Sequence, residues 1–156
     1  MNHSEFIELT ITMATLNVHS GLGGPFAALV VKDGEIIGRG TNLVIGNNDP
    51  TAHAEIMAIR DACRHLKSFQ LTGCTIYCSC EPCPMCFGAI FWARPDAVFF
   101  AAHKKQASNV GFDDSFIYQQ IELPASKRSI PFEQIPSENL NLPFEAWAGK
   151  KDRVKY

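Results

Sequence analysis

The chain has 156 residues, 46% of them apolar and 19% charged, with a formal charge of −2. A domain spans roughly 100 to 200 residues, so one globular domain over residues 1–156 is expected, large enough to fold without help from a disulfide or a metal. This ordinary composition excludes disordered, collagen-like and strongly nucleic-acid-binding classes, and the longest uncharged apolar run, Cys83 to Ala93, is far shorter than the roughly 20 residues that cross a bilayer. Glu5 and Glu8 stand where a signal peptide would be basic and then apolar, so a cytoplasmic location is expected. Phe6, Leu9, Met13 and Leu16 recur at three- and four-residue steps behind an Asn2/Glu5 capping box, which predicts a helix over residues 3–19. Gly21, Gly23, Gly24 and Pro25 break it. Phe26 to Lys32, the turn Asp33-Gly34 and Glu35 to Gly40 then read as a β-hairpin.

Asp49-Pro50 reads as a cap and first-turn proline for a second helix starting near residue 51, continued by Ile56, Ile59, Cys63 and Leu66. Thr75 to Ser79 reads as a strand, Pro82 to Ala93 as a short buried helix, and Ala97 to Ala101 as another buried strand. Strand alternating with helix predicts an α/β domain whose middle strands are parallel and covered on both faces. Beyond Asp114 the pattern weakens: helices are expected over 116–123 and 138–147, with Ser129 to Ile135 an edge strand because Pro131 cannot donate to a ladder.

Chemistry concentrates in two short stretches. Four of the six cysteines, Cys78, Cys80, Cys83 and Cys86, lie within nine residues, a crowding that in a reducing compartment points to metal or catalysis rather than disulfides. His53-Ala54-Glu55 and Pro82-Cys83-Pro84-Met85-Cys86 spell H-x-E followed by P-C-x-x-C, the signature of zinc-dependent nucleobase deaminases. Cys83 and Cys86 share one helical face, and the N–H groups of a first turn favour their thiolates. With His53 they supply three ligands for one Zn2+ per chain and leave the fourth place to water, as in catalytic rather than structural sites. Glu55, outside the ligand set, is then the proton shuttle.

Taken singly, each residue has an ordinary explanation: His53 a hydrogen-bonded helix start, Glu55 a first-turn acid, Cys63 and Cys74 small core hydrophobes. A closed structural site in which Cys80, Cys83 and Cys86 are joined by Cys78 or His53 is the competing arrangement, but it leaves the His-x-Glu spacing unexplained. An iron–sulfur cluster lacks its fourth cysteine, since position 90 is Ile.

On these motifs the chain resembles the cytidine deaminase-like zinc-dependent superfamily over residues 3–110. The resemblance implies a three-layer α/β/α sandwich around a mixed five-stranded sheet. Gly23-Gly24-Pro25-Phe26, Gly111-Phe112-Asp113-Asp114, Pro143-Phe144-Glu145-Ala146-Trp147 and the terminal Tyr156 resemble the small bacterial guanine deaminases. That likeness implies hydrolysis of guanine to xanthine and ammonia, with Glu55 and Asp114 catalytic. It also implies that Phe26 stacks on the purine, that Asn42 and Asp114 read its edge, and that Ala54 and Tyr156 line the pocket. Finally it implies a homodimer in which residues 115–156 are exchanged between subunits.

Two other functions remain open on sequence alone, a tRNA adenosine deaminase and a non-catalytic zinc-stabilised binding module. RNA is disfavoured by the acidic total, the only basic cluster being Lys150, Lys151, Arg153 and Lys155.

Overall fold

The computed structural model describes residues 1–156, which divide into two compact units, Met1–Asp114 and Ser115–Tyr156. The first unit opens with α1 (His3–Ser20). The Asn2 side chain accepts from Glu5 N at 3.0 Å while Asn2 N donates to the Glu5 carboxylate at 2.8 Å, so the capping box closes as expected. Gly21, at φ +71°, ends the helix in the left-handed conformation that costs glycine least.

β1 (Ala27–Lys32) and β2 (Glu35–Thr41) form the hairpin, joined by Asp33 and Gly34 at φ +50° and +81°. A short α2 (Val44–Asn47) follows, then α3 (Ala54–Leu66), β3 (Cys74–Cys80), α4 (Pro84–Ala93), β4 (Ala97–Ala102) and α5 (Lys104–Ser108). The sheet has four strands in the order β2-β1-β3-β4, not the expected five. Nor are all its middle strands parallel. β1 runs antiparallel to both neighbours, and β3–β4 is the parallel pair. The Asp33-Gly34 turn is the reason, since it reverses β1 and leaves β2, β3 and β4 sharing one direction, linked by the crossovers α3 and α4.

Period-two alternation sends Ala28, Val30, Ile76 and Cys78 to one face, where they pack with Ala54, Ala58, Ala62 and Ile90, and sends Leu29, Val31 and Tyr77 to the other, against Phe6 of α1. β4 departs from the buried strand expected, with Phe99 and Phe100 each 39% exposed, because it lies at the sheet edge.

The tightest packing lies between β2 and α3. Ala54, Ala58 and Ala62 recur every four residues and face Gly38 and Gly40. A Cβ on Gly38 would stand 2.6 Å from the Ala58 carbonyl oxygen and 2.8 Å from Ala62 Cβ, and one on Gly40 would collide with Ala54 O and Ala58 N. Asp61 of the same helix accepts from Arg39 N at 3.0 Å, covering one N–H of the edge strand.

The second unit holds α6 (Ser115–Glu122), a 3₁₀ turn (Ala125–Lys127) and α7 (Leu142–Gly149). Residues 129–135 form no strand, and Ser137 to Asn141 makes a turn, so α7 starts four residues later than expected. Pro131 removes a ladder donor from the first stretch, Pro136 follows it directly, and Pro143 sets the first turn of α7. None of this unit's residues is buried, and Phe132, Phe144 and Ile135 are 55%, 72% and 80% exposed. No helix is long and apolar enough to cross a membrane.

Candidate active site

The site forms at one rim of the sheet, where the chain leaves β2, β3 and β4 and enters the inverted β1. α3 begins at Ala54, three residues later than the sequence suggests, because Asp49 caps a tight turn instead of the helix. Its carboxylate accepts from Thr51 N at 2.8 Å and Thr51 Oγ1 at 2.7 Å. His53 thereby becomes the N-cap residue of α3, with extended backbone (φ −70°, ψ 156°). Cys83 occupies the equivalent place on α4 (φ −68°, ψ 169°), followed by Pro84 at the first helical position. Cys86 stands three residues on, the spacing at which a capping box brings two side chains together.

Two helix starts therefore meet. His53 Nδ1 lies 3.4 Å from Cys83 Sγ and 3.6 Å from Cys86 Sγ, and the three donor atoms all fall within 4.8 Å of one another. Ligands at Zn–S about 2.3 Å and Zn–N about 2.0 Å in a tetrahedron stand roughly 3.5 to 3.8 Å apart, so this donor set fits one zinc ion. Electrostatics agrees. The Cys86 thiol hydrogen-bonded to Cys83 holds Cys83 down to about 4, helped by His53, while that same bond and burial push Cys86 up. Cys83 in turn pushes His53 up. A dication would bind the Cys83 thiolate directly and displace the proton held beside it on Cys86.

Glu55 is 8% exposed, and the Cys86 thiol donates to its Oε2 at 3.4 Å. Burial pushes its carboxyl above the ordinary carboxylate range, which raises its affinity for a proton. Asp114 is half-buried, and its carboxyl is likewise raised, first by burial and then by the Cys83 charge.

No fourth protein ligand joins the three. Cys80 is buried and donates to the His103 carbonyl at 3.8 Å, its thiol pushed up to about 11 by burial, and Cys78 is a buried core residue raised in the same way. The closed structural site therefore lacks its extra cysteine. None of the six cysteines forms a disulfide. An open groove of about 480 Å³ between α1 and the end of β4 is lined by Ile11, Thr15, Val18 and Ser79 and by none of the site residues.

Phe26 and Asn42 are joined directly, Asn42 N donating to the Phe26 carbonyl at 3.0 Å. Phe26 meets Phe112 edge-on at 5.0 Å, an aromatic neighbour the sequence did not single out because 86 positions separate them. Asn42 is 5% exposed, and its Oδ1 accepts from Gly24 N at 3.2 Å and Val44 N at 3.3 Å. A side-chain amide can both donate and accept, but here the oxygen is already engaged and the NH2 alone remains to offer. Ala54 is buried at the first position of α3, beside His53 and Glu55. Tyr156 belongs to the second unit, where its ring meets Trp147 at 6.4 Å.

Residues 1–102 match the family model described as the cytidine and deoxycytidylate deaminase zinc-binding region. The chain is 53% identical over all 156 residues to guanine deaminase of Bacillus subtilis (strain 168), with both proteins covered completely. It is 38% identical over 114 residues to the tRNA-specific adenosine deaminase of Aquifex aeolicus (strain VF5), covering 73% of each. The X-ray structure of the Bacillus subtilis guanine deaminase is similar at a TM-score of 0.98, with 52% identity over 100% of this chain and 99% of that one. A guanine deaminase from Nitrosomonas europaea is similar at 0.67, with 33% identity over 70% and 63%.

Proposed function

Because the chain belongs to the cytidine and deoxycytidylate deaminase zinc-binding family, we propose that it hydrolyses guanine to xanthine and ammonia. One observation carries the choice of base. The likeness to a guanine deaminase runs through all 156 residues, whereas the likeness to a tRNA adenosine deaminase spans 114.

His53, Cys83 and Cys86 would hold the zinc, which when bound acidifies water to a pKa of about 7 and so supplies a nucleophile at neutral pH. The chain's own residues do the rest. Glu55, buried beside Cys86, takes the two protons of the attacking water in turn, passing the first to the ring nitrogen and the second, from the hydroxyl then held at C2, to the amino group, which leaves as ammonia. Asp114 accepts from the N–H groups around C2 and is a second proton carrier. Phe26 offers a face for the purine, and the Asn42 NH2 donates to a ring acceptor on the edge away from C2. Ala54 lines the floor beside Glu55.

The second unit supports a homodimer with residues 115–156 exchanged. It carries Phe132, Phe144 and Ile135 exposed and builds no core of its own, so it needs an apolar surface to cover it. In that arrangement Tyr156 completes the pocket of the partner copy.

Incubation with guanine, adenine, cytosine and a tRNA anticodon stem-loop, followed by ammonia release, tests the reaction. Guanine alone should be turned over; turnover of the stem-loop without guanine would transfer the chain to the RNA-acting branch, and release from none would leave a zinc-stabilised binding module. Removing residues 150–156 tests the exchange: guanine turnover should fall at least tenfold, the scale of one or two lost pocket contacts, while mass in solution stays that of two chains. Full activity in a monomer would overturn the exchanged dimer.

A further inference from the structure

Asn17 sits in the last turn of α1, far in sequence from every site residue, yet it is only 6% exposed. Asparagine is a poor choice inside a helix unless its side chain has specific partners. Here the Nδ2 group donates to Gly24 O at 2.9 Å and to Asn42 O at 2.8 Å. Two carbonyl acceptors fix which end of the amide faces them, since reversing it would set three oxygens together.

Those two carbonyls belong to a closed ring of bonds. Gly24 N donates to Asn42 Oδ1, Phe26 N donates to Gly24 O, and Asn42 N donates to Phe26 O. Gly23 belongs to the same construction, because a Cβ there would collide with the Asn42 carbonyl and with Asn42 Oδ1. The ring therefore joins the residue that stacks on the base to the residue that reads its edge, and Asn17 is the side chain that ties both strands of the ring to α1.

We infer that Asn17 is a positioning residue for base recognition: by clamping the Gly24 and Asn42 carbonyls it holds the Asn42 amide oxygen on backbone N–H groups and its NH2 toward the substrate. It selects a base that presents an acceptor on that edge, and it acts on binding rather than on proton transfer. This rests on the guanine-deaminating function proposed above.

Steady-state kinetics on guanine with Asn17→Ala, Asn42→Ala and the double variant test it, each at one zinc per chain. Asn17→Ala should raise KM roughly tenfold with kcat within about twofold, and should add less than about twofold to KM once Asn42 is already Ala. An equal factor in both backgrounds, or a fall in kcat at unchanged KM, would overturn the assignment. Asn17→Asp, matched in shape but turning lone pairs onto both carbonyls, should raise KM further; if both Asn17 variants fail to fold, the residue serves the whole fold and the inference is wrong. Hydrogen exchange at the Gly24 and Val44 amides separates the two layers. It should quicken in Asn17→Ala whichever base the enzyme accepts, so a wild-type protein inert toward guanine removes the proposed reaction while exchange still decides the clamp.

Discussion

Glu55→Gln should slow guanine turnover by about 10³-fold, within the 10²–10⁴ that a positioned general base contributes, while zinc content and melting temperature stay close to those of the parent. Glutamine keeps the shape of a side chain that is 8% exposed and lies against Cys86, so no cavity forms. What it loses is the ability to take up a proton. Measuring kcat together with metal per chain checks both halves, and loss of zinc in the Gln variant would show that Glu55 holds the ligand cluster instead of serving the reaction.

The other large effect should come from a residue with no chemistry at all. Gly40→Ala places a methyl group against Ala54 O and Ala58 N, atoms that belong to the backbone of α3 and cannot turn aside. Overpacking of this kind costs about 3 kcal/mol, at the upper end of the usual range, which in a chain of this size lowers the melting temperature by roughly 6 to 12 °C. The helix that must retreat starts beside His53 and carries Glu55 in its first turn. Weaker zinc retention should therefore accompany the lower melting temperature, read by thermal unfolding and metal analysis on the same sample. Unchanged values in both would mean that the strand and helix separate freely.

The grouping of His53, Cys83 and Cys86, with Glu55 beside them, was legible in the sequence because their partners are local. Cys83 and Cys86 are three apart on one helix start, His53 and Glu55 two apart on another, and such spacings survive any error in the fold around them. The start of α3 was misplaced because Asp49, a good cap by type, spends its carboxylate on Thr51. β4 was misread as buried because Ala97 to Ala101 has the composition of a central strand, and composition does not say which strand lies outermost. The antiparallel setting of β1 was implicit in the Asp33-Gly34 turn, yet the alternation of strands and helices suggested a parallel interior. Asn17 stayed invisible for a different reason: its partners lie 7 and 25 positions away, and only a loop folded back on α1 brings them within reach.

Every side chain proposed here to ligate zinc or move protons leaves the sheet at one rim of the first unit, so on that reading the opposite rim, with the Asp33-Gly34 turn and the Gly73 bend, is relieved of chemical duty. A turn that only reverses the chain tolerates added length far better than one that aims a ligand. The enzyme can thus be lengthened, tethered or fused at Asp33-Gly34 while its working end keeps its shape, which makes that far loop the natural handle for immobilisation.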